Sequence, residues 1–222
     1  MRYSLSFPEL AAVLAVMACG SAGTGNTPQV PVAPDCSAAS ACSPAAEQDP
    51  SLPPAGYGSL RQDQVGISLS TPAIRIRVIP LDERVIRLLS PDAYRSLHDM
   101  RDSRTADIRT AAHGDSATLF MVTFFGMQPQ ARFNPDDLLI VSQNATYRPI
   151  GRVAMTPRFN ENLLDVREQA AAIYVYERGI EVMRPMTVQY GQSVSDSWSQ
   201  SITLLNAERP RVMSRASGRT QP

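Results

Sequence analysis

The stretch "SATLFMVTFFGMQ", residues 116–128, is the most apolar run in the middle of the chain and decides its fold. Its β-branched and aromatic residues favour a strand. A short run of successive apolar positions is typical of a strand at the centre of a sheet. Alternation along that strand places Phe120 and Phe124 on one face and Phe125 on the other. We therefore expect a central strand whose phenylalanines pack in the core.

Segments with strand patterns lie on both sides of this run. Residues 73–79, "AIRIRVI", alternate between apolar and charged positions, as in a half-buried strand, and Pro80 ends it. Further strands are expected in "DDLLIVSQ" (136–143), "TYRPIGRVAMTP" (146–157), "AAAIYVYER" (170–178), "EVMRPMTVQYG" (181–191) and "DSWSQSITLL" (196–205). About seven strands between residues 72 and 206, joined mostly by short turns, predict a mainly β fold, an antiparallel β-sandwich.

Turn and edge signals refine this arrangement. Pro149 and Gly151 interrupt the strand in residues 146–157, which predicts a position near a sheet edge. Residues 144–146 are expected to form a turn, and residues 159–169 are expected to form a connection.

The periodicity changes after the first strand, and a short helical insertion is expected at about residues 82–110. Asp82 can cap a first helix. The residues Ser90-Pro91-Asp92 are a start signal for a second helix, because serine caps helices and proline is favoured at the first helical position. Apolar residues then recur at spacings of four and three, as on one face of an amphipathic helix.

Two segments resemble the immunoglobulin-like sandwich domains of secreted bacterial proteins and lipoproteins of unknown function. They are "FNPDDLLIVSQNATYRPIGRVAMTP" (133–157) and "REQAAAIYVYERGIEVMRPMTVQYG" (167–191). The resemblance rests on "DLLI" (137–140) with "YRP" (147–149) downstream. It implies an immunoglobulin-like β-sandwich, a fold whose functions are mostly binding and structural ones.

The N-terminus has the pattern of a secretory signal peptide over residues 1–18. Its apolar run, residues 10–18, is shorter than the ~20 residues that a transmembrane helix needs. Residues 16–19, "VMAC", resemble the lipobox of bacterial lipoproteins. The resemblance implies cleavage after Ala18, a diacylglyceryl group on the Cys19 thiol, and a further acyl chain such as palmitate on the new amine.

This resemblance implies a location in the bacterial cell envelope. Two or more acyl chains anchor a protein stably without a spanning helix. Gly20 follows the cysteine where an aspartate would signal retention in the inner membrane, so the outer membrane is favoured in an organism with two membranes. Two alternatives stay open: cleavage by ordinary signal peptidase near "GSAG" (20–23), which would give a secreted protein, or an unprocessed tail.

Proline, alanine, serine and glycine dominate residues 19–70, which predicts a disordered linker after the lipidated cysteine. A peptide ligand for a partner is the alternative interpretation of this segment. Residues 208–222 are expected to form a flexible tail, so the folded domain is expected at residues 71–207. Cys36 and Cys42 are close enough in sequence to form a disulfide in an oxidising compartment.

The charge balance argues against some partners. Lysine and arginine together number 21, as do aspartate and glutamate, so the formal net charge is zero. A neutral chain gives no electrostatic reason to expect nucleic acid as a partner. All 21 basic residues are arginines, which codon bias in a GC-rich genome explains. The alternative, selection for bidentate contacts, would predict clusters, whereas the arginines are scattered along the chain.

Two histidines are the candidate catalytic groups. His98 and Asp102 are four residues apart on the expected helix, a spacing that can place an imidazole beside a carboxylate. His113 lies near Asp115 and Ser116 in sequence, although a turn before the strand is the simpler interpretation. The sequence contains no phosphate loop, dinucleotide fingerprint or paired-cysteine motif, so we expect neither a cofactor nor a metal.

Three tyrosines are the candidate binding surface. Tyr174 and Tyr176 lie on the face of their expected strand opposite Ile173 and Val175. Together with Tyr190 they are expected to form an exposed face suited to protein contacts.

Three functions follow from these observations. The first choice is a membrane-tethered, non-enzymatic envelope lipoprotein whose β-sandwich binds a protein or another envelope component. One alternative is a periplasmic enzyme with a site around His98 or His113, which a pocket joining a histidine to a carboxylate and a nucleophile would favour. The other is a structural subunit of an envelope assembly, which an exposed apolar patch or sheet edge would favour.

Overall fold

The computed structural model describes residues 52–114 and 116–219, and in them the chain is mainly β, with antiparallel sheets and a few helices. The strands are β1 (Ile67–Ser70), β2 (Ile74–Pro80), β3 (Ala117–Gly126), β4 (Ala131–Arg132), β5 (Leu138–Ser142), β6 (Ala145–Tyr147), β7 (Pro149–Ala154), β8 (Leu163–Leu164), β9 (Gln169–Glu177), β10 (Met186–Tyr190) and β11 (Ser193–Ser195). The helices are α1 (Glu83–Ile86), α2 (Pro91–Asp102), α3 (Thr105–Ala111), α4 (Arg158–Glu161) and α5 (Trp198–Arg219), with short 3-10 helices at Gln62–Gln64 and Pro135–Asp137.

The apolar run at residues 116–128 forms β3, the middle strand of a five-stranded sheet in the order β1-β2-β3-β9-β7. It is antiparallel to both neighbours. Phe120 lies opposite Tyr174 of β9, and Val122 lies opposite Val78 of β2. The prediction of a central strand is therefore confirmed.

The core lies between this sheet and a four-stranded sheet in the order β11-β10-β5-β6. Phe120 and Phe124 are fully buried on one face of β3, while Phe125 on the other face is half-buried, as the alternation predicts. The Tyr176 hydroxyl reaches from β9 across the core and donates to the Leu138 carbonyl at the start of β5, at 3.2 Å. Two antiparallel sheets that share one core are consistent with a β-sandwich.

The two sheets approach each other at both sides of the core. On one side, the Ser193 hydroxyl of β11 donates to the Ser70 carbonyl of β1 at 2.9 Å. On the other side, β6 continues into β7 through Arg148, and the pairing register of β7 shifts between Pro149 and Gly151. The predicted edge position is confirmed, but the segment forms two short strands in different sheets.

The helical insertion is confirmed as α1, α2 and α3, which lie between β2 and β3. The Asp82 carboxylate caps α1 by accepting a hydrogen bond from the Arg84 N–H at 2.8 Å. The second helix begins at Pro91, as its start signal predicts, but the Ser90 side chain makes no capping hydrogen bond. The third helix packs closely on β7. The space between them is so small that a Cβ added to Gly151 would lie 2.6 Å from the Ala111 carbonyl oxygen.

The linker predicted for residues 19–70 ends earlier than expected. Residues 52–70 belong to the domain, and Ile67 and Leu69 of β1 are buried. Only alternate residues of this short strand are apolar, so its serines concealed it within a serine-rich and proline-rich segment. The signal peptide and the rest of the linker, residues 1–51, lie outside the described residues.

Two predictions at the C-terminus are wrong for one reason. Residues 196–205 were expected to include a strand and residues 208–222 a flexible tail, but α5 runs through both as far as residue 219. Its buried positions recur at intervals of three and four: Trp198, Ser201, Leu205, Glu208 and Val212. That spacing is helical. The pattern of apolar residues alone does not show it, because two of the buried positions are a serine and a glutamate.

Two predicted loops also differ from the structure. Residues 159–169 contain most of α4 and all of β8, and β8 pairs with β4 so that Leu164 lies opposite Ala131. The turn between β5 and β6 lies at Gln143 and Asn144, earlier than the predicted turn at 144–146. Both residues have positive φ, 51° and 64°, as tight hairpins require.

Candidate functional site

The three tyrosines of the predicted binding surface are buried. Tyr174 and Tyr176 are 0% exposed and Tyr190 is 8% exposed. Their hydroxyls bond to backbone groups: Tyr174 donates to the Pro135 carbonyl at 3.1 Å, and Tyr190 accepts from the Asn134 N–H at 2.8 Å. For Tyr174 and Tyr176 the prediction is wrong because β9 lies inside its sheet with both faces covered, a situation that alternation in sequence does not reveal. Tyr190 ends β10 on the face that packs in the core, where its ring meets that of Phe124 at 6.0 Å.

These tyrosines belong instead to an aromatic cluster in the core. Phe124 stacks on Phe133 with ring centroids 4.4 Å apart, and Phe159 meets the Tyr174 ring edge-on at 6.1 Å. Burial raises the pKa of both the Tyr174 and the Tyr176 hydroxyls, so both stay protonated donors. The cluster therefore serves packing rather than external contacts.

The predicted lipidation site and the predicted disulfide involve cysteines near the N-terminus. Cys19, Cys36 and Cys42 all lie outside the described residues, so lipidation and the disulfide stay predictions. In the described ranges, no helix combines the length and the apolar composition needed to cross a membrane.

His98 lies between two carboxylates where α1 and α2 meet. Its Nε2 is 3.1 Å from Oδ2 of Asp102, so the predicted pair is confirmed. Its Nδ1 is 3.1 Å from Oε1 of Glu83, and its ring stacks on Tyr94 with centroids 5.1 Å apart. Arg101 completes the cluster, with a guanidinium nitrogen 2.7 Å from Glu83. Sequence spacing predicted the pair within α2, but only the fold brings Glu83 to it.

Glu83 is the centre of this cluster. Burial raises its pKa, but hydrogen bonds and charge from Arg87, Arg101 and His98 more than offset burial and lower it overall. The carboxylate is therefore ionised at neutral pH and joins α1 to α2. Among the described residues, no serine, threonine or cysteine side chain hydrogen-bonds to His98. The arrangement is an ion-pair network rather than a catalytic triad.

His113 lies in the turn after α3, where it is exposed and has a φ of 55°. It lines a shallow cavity of about 590 Å³ together with Ser116 and Glu177. No hydrogen bond connects these three side chains in the part of the chain that the structure describes, which leaves out Asp115. The cavity gathers residue types found in hydrolytic sites without the contacts that activate a nucleophile.

A larger cavity, which we call the polar cleft, lies where β2 ends and α1 begins. Its volume is about 820 Å³, within the range of small-ligand sites. Residues 116–119 of the β3 region and residues 178–181 after β9 form part of its wall. Its charged side chains are Asp82, Glu83, Arg84, Arg101, Arg178 and Glu181.

The charges in the polar cleft are unequally paired. Arg84 lies 2.8 Å from Asp82 and 2.9 Å from Glu181, so its guanidinium is engaged on two sides. Arg101 is held by Glu83, as described above. Arg178 is exposed and has neither an ion pair nor a side-chain hydrogen bond within the described ranges. No motif marked this arginine in the sequence, because its neighbours in the cleft come from distant segments.

Large apolar side chains are exposed at several places in the described part of the chain. They are Met127 and Val166 in loops, Val194 in β11, and Leu204 and Met213 in α5. Single exposed apolar residues are normal on protein surfaces and do not by themselves mark an interface.

Neither a metal site in the described residues nor a similarity to known proteins indicates the function. Within residues 52–114 and 116–219, no group of three or more histidine, cysteine, aspartate or glutamate side chains could hold a metal ion. The chain matches no known family model, no curated protein and no solved structure.

Proposed function

We propose that this chain is a lipid-anchored protein of the bacterial cell envelope whose β-rich domain binds a protein or another envelope component and catalyses no reaction. The observation that carries the proposal is the "VMAC" sequence at residues 16–19, which a segment rich in proline and alanine separates from the β-rich domain that the structure describes. A triacylated Cys19 would anchor the chain without a spanning helix. Gly20 favours the outer membrane where two membranes are present.

The proposal includes an immunoglobulin-like arrangement of the strands. Two antiparallel sheets around one core support it, with α1 to α3 as an insertion between β2 and β3. Sandwich domains of this kind present loops and sheet surfaces to partners, which suits a binding role.

The engagement of His98 supports binding over catalysis. Its two ring nitrogens lie 3.1 Å from carboxylate oxygens of Glu83 and Asp102. A general base needs a free nitrogen within hydrogen-bond reach of the proton that it abstracts. An imidazole held on both sides has no such nitrogen, so its role here is to join two helices.

Fractionation and crosslinking test the two halves of this proposal. The wild type and Cys19→Ser are produced in a bacterium, and their membranes are floated on a density gradient. We expect the wild type in the membrane fraction and the variant in the soluble fraction. Photo-crosslinking residues are then placed at positions 75, 132, 178 and 204, on different elements of the domain. An adduct of one defined mass at some positions but not others is expected, and an absence of adducts at all four would contradict a binding role.

A second candidate, an envelope hydrolase, is favoured by one observation. His113, Ser116 and Glu177 line the same cavity, as stated above. A fluorophosphonate probe, which labels activated serines, tests it on the wild type and on Ser116→Ala. We expect no labelling of either protein. Labelling that disappears in Ser116→Ala would overturn the non-enzymatic part of the proposal.

A further inference from the structure

The polar cleft contains a short strand edge. The second strand stays beside β3 as far as Leu81, whose N–H donates to the Leu119 carbonyl at 2.9 Å, and the chain then turns away into α1. The third strand begins earlier, at Ala117, and on its other side Ala117 lies opposite Glu177 of β9. In the described ranges, Ala117 and Thr118 therefore have a neighbouring strand on one side only.

The direction of the backbone groups at this edge follows from the pairing. The carbonyl of Leu119 points towards β2, because it accepts the hydrogen bond from Leu81. Alternate residues of a strand direct their N–H and C=O groups to the same side. Ala117 therefore directs its N–H and C=O towards the polar cleft, which residues 117–119 line.

The charged group beside this edge that lacks an ion-pair partner in the described ranges is a cation, Arg178. The acidic residues of the polar cleft are held by Arg84 and Arg101, whereas Arg178 has no partner in the described ranges. A guanidinium binds a carboxylate through two parallel hydrogen bonds, which gives both strength and direction. The polar cleft therefore combines a backbone donor and acceptor with a free guanidinium.

We propose that the polar cleft binds an extended segment of a protein partner, which adds alongside Ala117 and Thr118 and places one acidic side chain on Arg178. The inference rests on the proposed function and names the kind of partner that it requires. Strand addition supplies hydrogen bonds that do not depend on sequence, and a charged pocket beside it supplies selectivity. A free small anion would use Arg178 but would leave the strand edge unused.

The walls of the cleft restrict the segment further. Asp82, Glu83 and Glu181 also line the cleft, so a second acidic residue in the partner would face like charge. The expected ligand has a single aspartate or glutamate flanked by neutral or basic residues.

A peptide library tests the proposal directly. Capped fluorescent peptides of about six residues, the usual length of a strand, carry one central aspartate among varied neutral and basic residues. Each has a twin with asparagine at the centre, and binding to the mature full-length protein is measured by anisotropy. We expect a subset of aspartate peptides to bind at least about tenfold more tightly than their twins, because a guanidinium bonds a carboxylate more strongly than a neutral amide.

Two further arms separate the parts of the site. Arg178→Gln removes the free guanidinium, and Arg132→Gln is the matched control, an exposed arginine on β4 outside the cleft. The binding peptides should lose their preference for aspartate with Arg178→Gln and keep it with Arg132→Gln. Peptides with N-methyl groups at alternate residues should bind more weakly, because they cannot pair with the strand edge.

The outcomes decide the inference. Equal binding of aspartate and asparagine peptides, an unchanged preference in Arg178→Gln, full binding of the methylated peptides, or no binding in the whole library would each overturn it. The test requires no anchoring, so failure here together with membrane association of the wild type would remove this site and leave the lipoprotein proposal standing. Failure of anchoring with peptide binding intact would remove the lipoprotein proposal and leave the peptide site standing.

Discussion

The Glu208 carboxylate in α5 accepts two hydrogen bonds from Ser59, one from its N–H at 2.9 Å and one from its hydroxyl at 2.7 Å. The Glu208 side chain is only 2% exposed, and Arg215 lies 2.9 Å from it. Arg215 also donates to the Tyr57 carbonyl. These contacts fasten the segment before β1 to the C-terminal helix. The C-terminal helix therefore stabilises the N-terminal part of the described domain, the part that follows the proposed linker in sequence.

Replacement of Glu208 by alanine is expected to lower the free energy of unfolding by about 1.5–3 kcal/mol, because it leaves the Ser59 N–H and hydroxyl and the Arg215 guanidinium without the carboxylate that they bond. Urea denaturation measures the change. The control is Glu161→Gln, which removes an exposed ion pair with Arg158 and should cost at most about 1 kcal/mol. Equal losses in the two variants would show that the contact between Glu208 and Ser59 does not matter for stability.

Acid should weaken the fold through two glutamates. Burial raises the pKa of Glu83 and of Glu208, but hydrogen bonds and nearby arginines lower each one overall. A carboxyl whose pKa is lowered by folding stabilises the folded state above its unfolded pKa, here about 4.5, and loses that contribution as pH falls through the folded pKa. The free energy of unfolding should therefore fall below about pH 5.

The double variant Glu83→Gln and Glu208→Gln isolates this effect. It should be less stable than the wild type at neutral pH, and its stability should decline less steeply on acidification. Urea titrations at a series of pH values provide the comparison. Parallel declines in the two proteins would mean that other groups cause the acid sensitivity.

Gly58 should not tolerate a side chain. A Cβ at this position would lie 2.2 Å from the Leu89 carbonyl oxygen and 2.3 Å from the Leu88 backbone. Gly58→Ala should therefore lower the free energy of unfolding by about 2 kcal/mol or more, since backbone atoms must move. Gly218→Ala is the control, because its Cβ would meet nothing within 4 Å and alanine favours a helix. Similar thermal midpoints for the two variants would disprove the close contact at Gly58.

The assignment of the two faces of β3 can be tested with neighbouring phenylalanines. Phe124 is fully buried against Phe133 and Tyr174, so Phe124→Ala should cost about 3–5 kcal/mol. Phe125 points to the other face and is half-buried, so Phe125→Ala should cost clearly less. Guanidinium denaturation compares them. A larger loss for Phe125→Ala would reverse the facing of the strand.

The sequence predicted the parts of the fold that have strong local patterns. The apolar run that contains Phe120 identified the central strand, and Asp82 marked the start of the helical insertion. It did not predict β1, because this strand is short and only Ile67 and Leu69 are apolar. It did not predict α5, because the buried positions of this helix include polar residues such as Glu208. Tertiary hydrogen bonds, which no local pattern encodes, stabilise these elements.

The candidate site was less accessible to sequence analysis. The pair of His98 and Asp102 follows from helical spacing, and it was predicted. The polar cleft brings together residues from α1, α2, β3 and the loop after β9, so Arg178 acquires its surroundings only in the fold. The tyrosines of β9 were misplaced because an internal strand and a half-exposed strand can share one alternating pattern.

The central claim is that the mature protein is anchored through Cys19, and intact mass spectrometry of the membrane fraction tests it most directly. The wild type and Cys19→Ala are produced in parallel in a bacterium. The account predicts a wild-type chain that begins at Cys19 and carries the added mass of a diacylglyceryl group and an acyl chain, and a variant without that mass. A soluble wild-type chain cut elsewhere, with the same mass behaviour in Cys19→Ala, would contradict it.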